Sequence, residues 1–160
     1  MASTRKKNDR EASGVVASDL IGRDRELADL ARDVEHHALI TLVGAPGAGK
    51  TSLARALLAM RQQQAPEPTP RAMGASIFVD LSSARSALAV LRALALALDT
   101  PLARDAEEGR DRATLVPSLE RLLTTKVLAS ARTLVVLDNA EQCIDDVAWC
   151  VGRWSSLARS

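Results

Sequence analysis

Aromatic residues are nearly missing from this chain: its 160 residues hold one Phe, two Trp and no Tyr. Alanine, leucine and arginine dominate instead, a composition that favours helices by intrinsic propensity. Excess charge of one sign is missing too. The formal net charge is +1, so no global field draws the chain to nucleic acid or to an anionic membrane. The basic N-terminal run Arg5-Lys6-Lys7 and Arg10 is interleaved with Asn8, Asp9 and Glu11, which reads as a solvated tail rather than a nucleic-acid arm. Cysteine is limited to Cys143 and Cys150. They lack C-x-x-C spacing and have no histidine at ligand spacing, so core packing is expected ahead of a metal site or a disulfide. Seven residues apart on a predicted helix, they share a face and suit a buried core. No stretch approaches the ~20 charge-free apolar residues of a membrane span. The N-terminus lacks the apolar segment of a secretory signal. A soluble, cytoplasmic protein is the expectation, with no membrane or direct nucleic-acid partner.

Hydrophobic residues still make up 47%, near the globular norm, and the length suits one domain. Residues 1–18 are polar and patternless and are expected to form a disordered tail, with the domain over 19–160. Leu27, Leu30, Ala31 and Val34 follow helical spacing. His36 and His37 at the end of that helix point in different directions and make a poor metal pair. Ala38 to Gly44, "ALITLVG", is a continuous apolar run that suits a strand buried on both faces. A helix from Gly49 to about Gln64 follows, and then a loop with Pro66, Pro68 and Pro70. "SIFVDL" reads as a second buried strand, and the next helix takes Ser82 or Ser83 as its N-cap, with Leu88, Leu91, Ala95 and Leu98 as its stripe. Val116 to Ser130 reads as a helix with Pro117 in its first turn. "TLVVLD", Thr133 to Asp138, is a third buried strand. The last helix carries Ile144, Val147, Val151 and Trp154 at helical spacing. Strands alternating with helices predict an α/β fold with a largely parallel sheet.

The chemistry concentrates between the first strand and the second helix. Gly44-Ala45-Pro46-Gly47-Ala48-Gly49-Lys50-Thr51 fits G-x-x-x-x-G-K-[ST] at every fixed position. Such a loop wraps a phosphate chain with its own amides. Gly44 and Gly49 permit the backbone angles and the close approach that a Cβ forbids. The inward amides and the helix dipole favour an anion. Lys50 is expected to reach the β- and γ-phosphates as a catalytic residue, and the Thr51 hydroxyl to ligate Mg²⁺. Ser52 completes the cofactor-binding stretch.

Asp138 closes the "TLVVLD" strand. The carboxyl ends of strands in an open parallel sheet face the ligand crevice, and an Asp there can hold Mg²⁺. A plain turn cap is the other reading. Asp80 ends the second strand and borders the same crevice or caps the next helix.

Three pieces, "LIGRDREL", "LVGAPGAGKTSLA" and "LVVLDNAEQC", occur in an order and spacing that resemble the signal-transduction ATPases with numerous domains. That AAA+-like group includes the NB-ARC proteins and the large LuxR-type bacterial transcriptional regulators. "FVDLSS" is similar to the segment that family places between them, and the resemblance runs from about Leu20 to Trp154. It implies a three-layered P-loop NTPase core that binds ATP or ADP with Mg²⁺ and switches with the nucleotide. It also implies that Ile21, Gly22 and Arg23 lie near the adenine or ribose, and that Asp138 is the Mg²⁺-linked residue. Sensor and effector modules and a homo-oligomer are further implications.

Two departures carry consequences. Many related ATPases place an acidic residue directly after the Walker-B Asp to polarise the attacking water. Here that residue is Asn139, an amide that takes no proton, with Glu141 two residues further on as the remaining catalytic candidate. Slow or absent hydrolysis is therefore expected. The resemblance also calls for a sensor strand after the last helix, inserted between the P-loop and Walker-B strands. The sequence stops at Ser160, so a C-terminally truncated, incomplete sheet with unpaired edges is expected. Two other readings stay open. One is a small P-loop phosphotransferase or DNA-processing ATPase, using arginines such as Arg104, Arg110 and Arg112. The other is a non-catalytic interaction module.

Overall fold

The computed structural model describes residues 22–64, 76–102, 112–122, 124 and 133–157. They fall into two compact units that meet in sequence between Gln64 and Ala65. The tail at 1–18, Ile21 and the proline loop at 65–74 lie outside the described residues.

The first unit holds two helices, α1 (Asp24–His36) and α2 (Lys50–Gln64). Leu30 is buried on α1, with Leu27, Ala31 and Val34 half-buried beside it, as the helical spacing predicts. Leu53, Ala54, Ala56, Leu57 and Leu58 are buried on α2. Arg61 is buried as well, and its Nη1 donates to Glu35 Oε1 at 2.8 Å. That ion pair joins the ends of the two helices and compensates the burial of a charge. At the end of α1, His36 Nδ1 donates to Arg32 O at 2.8 Å and His37 Nδ1 to Asp33 O at 3.1 Å. The rings add donors to carbonyls in the last turn of α1, where Asp33 O also accepts from His37 N at 2.9 Å.

The expected first strand is not formed. Residues 38–44 carry no strand pairing among the described residues, and Leu39 and Val43 are 62% and 89% exposed. Apolar content marks a segment that can be buried, but a strand exists only when a neighbour takes its amides and carbonyls.

The second unit is built on two parallel strands, β1 (Ser76–Asp80) and β2 (Leu134–Asp138), paired in register from Ser76↔Leu134 to Asp80↔Asp138. Helices α3 (Ala87–Ala97), α4 (Arg112–Leu122) and α5 (Ile144–Leu157) pack with them, and a 3-10 turn at Ala140–Gln142 leads into α5. The core contains Val79, Leu81, Val90, Leu91, Leu94, Leu115, Leu119, Leu122, Val147 and Cys150. β2 is half-buried along its length rather than buried on both faces.

Several boundaries differ from the sequence reading. The N-cap of α3 is Ser86, whose Oγ accepts from Ala89 N at 3.3 Å. Ser82 and Ser83 lie in the turn before it. The α3 stripe is correspondingly rotated: Ala87, Val90, Leu91, Leu94 and Ala95 are buried, and Leu88 and Leu98 only half-buried. Helix α4 begins at Arg112, so Pro117 sits inside it rather than in its first turn. Pro117 is on the exposed side while Leu115, Ser118, Leu119 and Leu122 are buried. Burial of that face holds the helix through a residue that removes one backbone bond. Of the expected continuation to Ser130, only Thr124 is among the described residues. Ile144 is 57% exposed, and the inner face of α5 is carried by Val147 and Cys150, with Val151 and Trp154 packed against the core.

Cys143 and Cys150 are free thiols in that core. Burial pushes Cys150 up to about 12, with Asp146 adding to the shift, and burial also raises Cys143. The unfolded thiol ionises near its ordinary value of about 8.5. The Cys150 contribution to stability is therefore full below that value and declines as pH rises toward about 12, and the upward shift of Cys143 acts in the same direction. In the native protein at pH 8, both thiols are expected to resist a thiol-reactive dye, and both to label at once in denaturant. Rapid labelling without denaturant would contradict their burial.

Candidate functional site

In the first unit the glycine-rich motif connects an extended segment to α2. Ala48 N donates to Ala45 O at 3.1 Å and closes a turn across Pro46 and Gly47. Gly47 and Gly49 have φ of +77° and +78°, the left-handed region where a Cβ meets the following carbonyl. Gly49 O accepts from Leu53 N at 2.9 Å, so the last loop glycine starts the helix ladder of α2. The first turn of α2 contains no acidic residue, and the positive end of its dipole stays available to an anion. Lys50 Nζ donates to Gly44 O at 2.8 Å and to Ala45 O at 3.0 Å, which folds the ammonium back over the start of the loop. Thr51 and Ser52 follow on the first turn of α2, both half-buried.

The "IGRDRE" element reaches this loop through one side chain. A Cβ placed on Gly49 would stand 3.3 Å from Arg23 Nη1 and 3.6 Å from Arg23 Cζ. Arg23 is the N-cap residue of α1, and its Nη1 pairs with Glu26 Oε2 at 3.4 Å. Gly22 is exposed with φ of +78°. Ile21 lies outside the described residues.

The second unit holds the carboxylates. Asp80 and Asp138 are register partners at the carboxyl ends of β1 and β2. Leu81 N donates to Asp138 O at 2.9 Å, extending the ladder one step past β1. Asp80 Oδ1 accepts from Ser82 N at 2.9 Å, so it caps the turn after β1 and not the helix α3. The same oxygen accepts from Asn139 Nδ2 at 2.9 Å. Asn139 has φ of +58°, a left-handed conformation that Asn tolerates better than most residues. Glu141 is exposed on the 3-10 turn that follows.

The structure thus gathers Lys50, the loop glycines and Arg23 in one unit, and Asp138, Asp80, Asn139 and Glu141 in the other. The bond between Asn139 and Asp80 has no sequence signal, because 59 residues separate the partners. No group of three or more His, Cys, Asp or Glu side chains suited to a metal occurs among the described residues. The donor chemistry of the expected ligands still fits Mg²⁺, since the Thr51 hydroxyl and the Asp138 carboxylate are hard oxygens. No helix among the described residues is long and apolar enough to cross a membrane.

Comparison with curated proteins and with solved structures gives no significant match. Comparison with protein families gives the AAA domain over residues 32–154, well over half of the chain. The match takes in the whole glycine-rich motif, both strands and Asp138, and it begins after Arg23. It carries with it the α/β fold of the P-loop NTPases, with nucleotide binding as its general function. The motif, its seat on α2 and the extent of the match agree, and the chain belongs to the AAA domain family of P-loop NTPases.

Proposed function

We propose that the chain is a nucleotide-switch domain of the signalling or transcriptional-regulator type, binding ATP or ADP with Mg²⁺ and hydrolysing slowly or not at all. The observation that carries the binding half is the loop itself. Two left-handed glycines and an acid-free helix start form a cradle for a phosphate chain, and Lys50 stands over its first carbonyls. Thr51 and Asp138 would hold Mg²⁺, which would neutralise phosphate charge. Lys50 would exchange its carbonyl bonds for phosphate oxygens.

The switch half is supported by Asn139. An amide that donates to Asp80 occupies the place where a water-polarising acid would be expected. An amide accepts no proton, and without general-base help a factor of roughly 10²–10⁴ in rate is forgone. Binding without turnover suits a domain that reads the nucleotide state for sensor and effector modules. Self-association in the ATP state belongs to the same reading.

Hydrogen exchange of the full chain with Mg-ADP and with Mg-ATP tests the proposal. A switch shows a different protection pattern in the two states. Identical patterns would leave a passive module. Phosphate release above the ~1 s⁻¹ floor of typical enzymes would point to a turnover enzyme.

A further inference from the structure

We propose that Arg23 is a phosphate-contacting residue, a second cation that works with Lys50 at the opposite end of the loop. The inference rests on the nucleotide-binding reading and changes what the segment before the loop is for. The resemblance implied the adenine or ribose for Arg23, and the family match does not extend to it. Its guanidinium lies against the α-carbon of Gly49, with Nη1, Cζ and Nη2 at 3.3, 3.6 and 3.9 Å from the Cβ position. Gly49 is the last loop residue before α2, the point where loop amides and the helix dipole meet. The backbone at this position favours glycine. Its φ is +78°, and a side chain would press on Arg23.

The charges are distributed to match a chain of phosphates. The Lys50 ammonium sits on the carbonyls of Gly44 and Ala45 at the start of the loop. The Arg23 guanidinium sits at its end. Neither α2's first turn nor the loop from Gly44 to Gly49 carries an acidic residue, and the guanidinium of Arg23 pairs with Glu26 at 3.4 Å. One such contact engages one of five N–H donors. Arg23 is anchored by its backbone, whose carbonyl accepts from Leu27 N at 3.0 Å at the start of α1. Its side chain remains 38% exposed, open to a ligand. A planar fork beside an anion cradle is suited to two oxygens of one phosphate or of adjacent phosphates.

The test is competition binding on the full chain with Mg-ATP, Mg-ADP and inorganic pyrophosphate, comparing wild type, Arg23→Gln and Arg23→Lys. Arg23→Gln is expected to weaken ADP and pyrophosphate alike, by about tenfold, as loss of one charge-assisted contact would. Arg23→Lys is expected to recover part of that loss, and it keeps the positive charge if the glutamine variant folds poorly. Unchanged affinity in Arg23→Gln would overturn the inference while leaving nucleotide binding intact. A loss for ADP with none for pyrophosphate would also overturn it, and return Arg23 to the base or ribose. Wild type that binds none of the three ligands would overturn the nucleotide reading itself.

Discussion

Replacing Lys50 with alanine is expected to weaken Mg-ATP binding by about 10- to 100-fold and to leave the chain folded. A hydrogen bond to a charged group contributes roughly 1.5–3 kcal/mol, and each 1.4 kcal/mol is about tenfold in affinity. Low structural cost follows from where the ammonium lies. Its bonds run to the carbonyls of Gly44 and Ala45, both on the exposed part of the loop. Water replaces the ammonium at those oxygens when the side chain is shortened. The aliphatic core of α2, from Leu53 to Leu58, is untouched. The thermal midpoint of Lys50→Ala should therefore stay near that of wild type while the binding isotherm collapses. A large drop in the midpoint would mean that Lys50 holds the loop together rather than serving its ligand.

Asn139→Asp is expected to destabilise the chain by about 1–2 kcal/mol. On sequence grounds alone the change looks like a repair, because it restores an acid after Asp138. The structure argues otherwise. Asn139 Nδ2 donates to Asp80 Oδ1 at 2.9 Å, and an ionised aspartate has no hydrogen to give. The bond is lost and two carboxylates face each other, a contact whose cost is moderated by the solvent around Asp80. Aspartate and asparagine both tolerate the left-handed backbone at this position, so the backbone does not confound the comparison. Denaturant titration at low and high salt checks it. The deficit should shrink with added salt as the like-charge repulsion is screened. A variant as stable as wild type would show that the bond contributes nothing.

The sequence was most readable where a local rule decides the outcome. Fixed glycine spacing marked the loop at Gly44 to Thr51, and apolar content marked β1 and β2 to within one residue. Helices α1 and α2 followed from spacing and from the loop that precedes α2. Reading failed where the outcome depends on partners distant in sequence. Residues 38–44 have the composition of a buried strand, but no rule within the segment says which strand will pair with it. Ser82, Ser83 and Ser86 are chemically equivalent candidates for the cap of α3, and sequence alone does not separate them. The turn closed by Asp80 and Ser82 N sets which serine begins the helix. Pro117 looked like a first-turn residue because nothing in its neighbours reveals that burial of Leu115 and Leu119 starts the helix earlier. At the site, the loop and Asp138 were visible as motifs. The approach of Arg23 to Gly49 and the bond from Asn139 to Asp80 were not, since each joins residues that no periodicity relates.

The central claim is that this loop binds a nucleotide through its phosphates. Calorimetric titration of the full chain with Mg-ATP and Mg-ADP, beside Lys50→Ala, tests it most directly. The account predicts saturable, near-stoichiometric binding of both nucleotides to wild type and its loss in the variant under the same conditions. No heat of binding to wild type at high-micromolar nucleotide, or equal binding to wild type and Lys50→Ala, would contradict it.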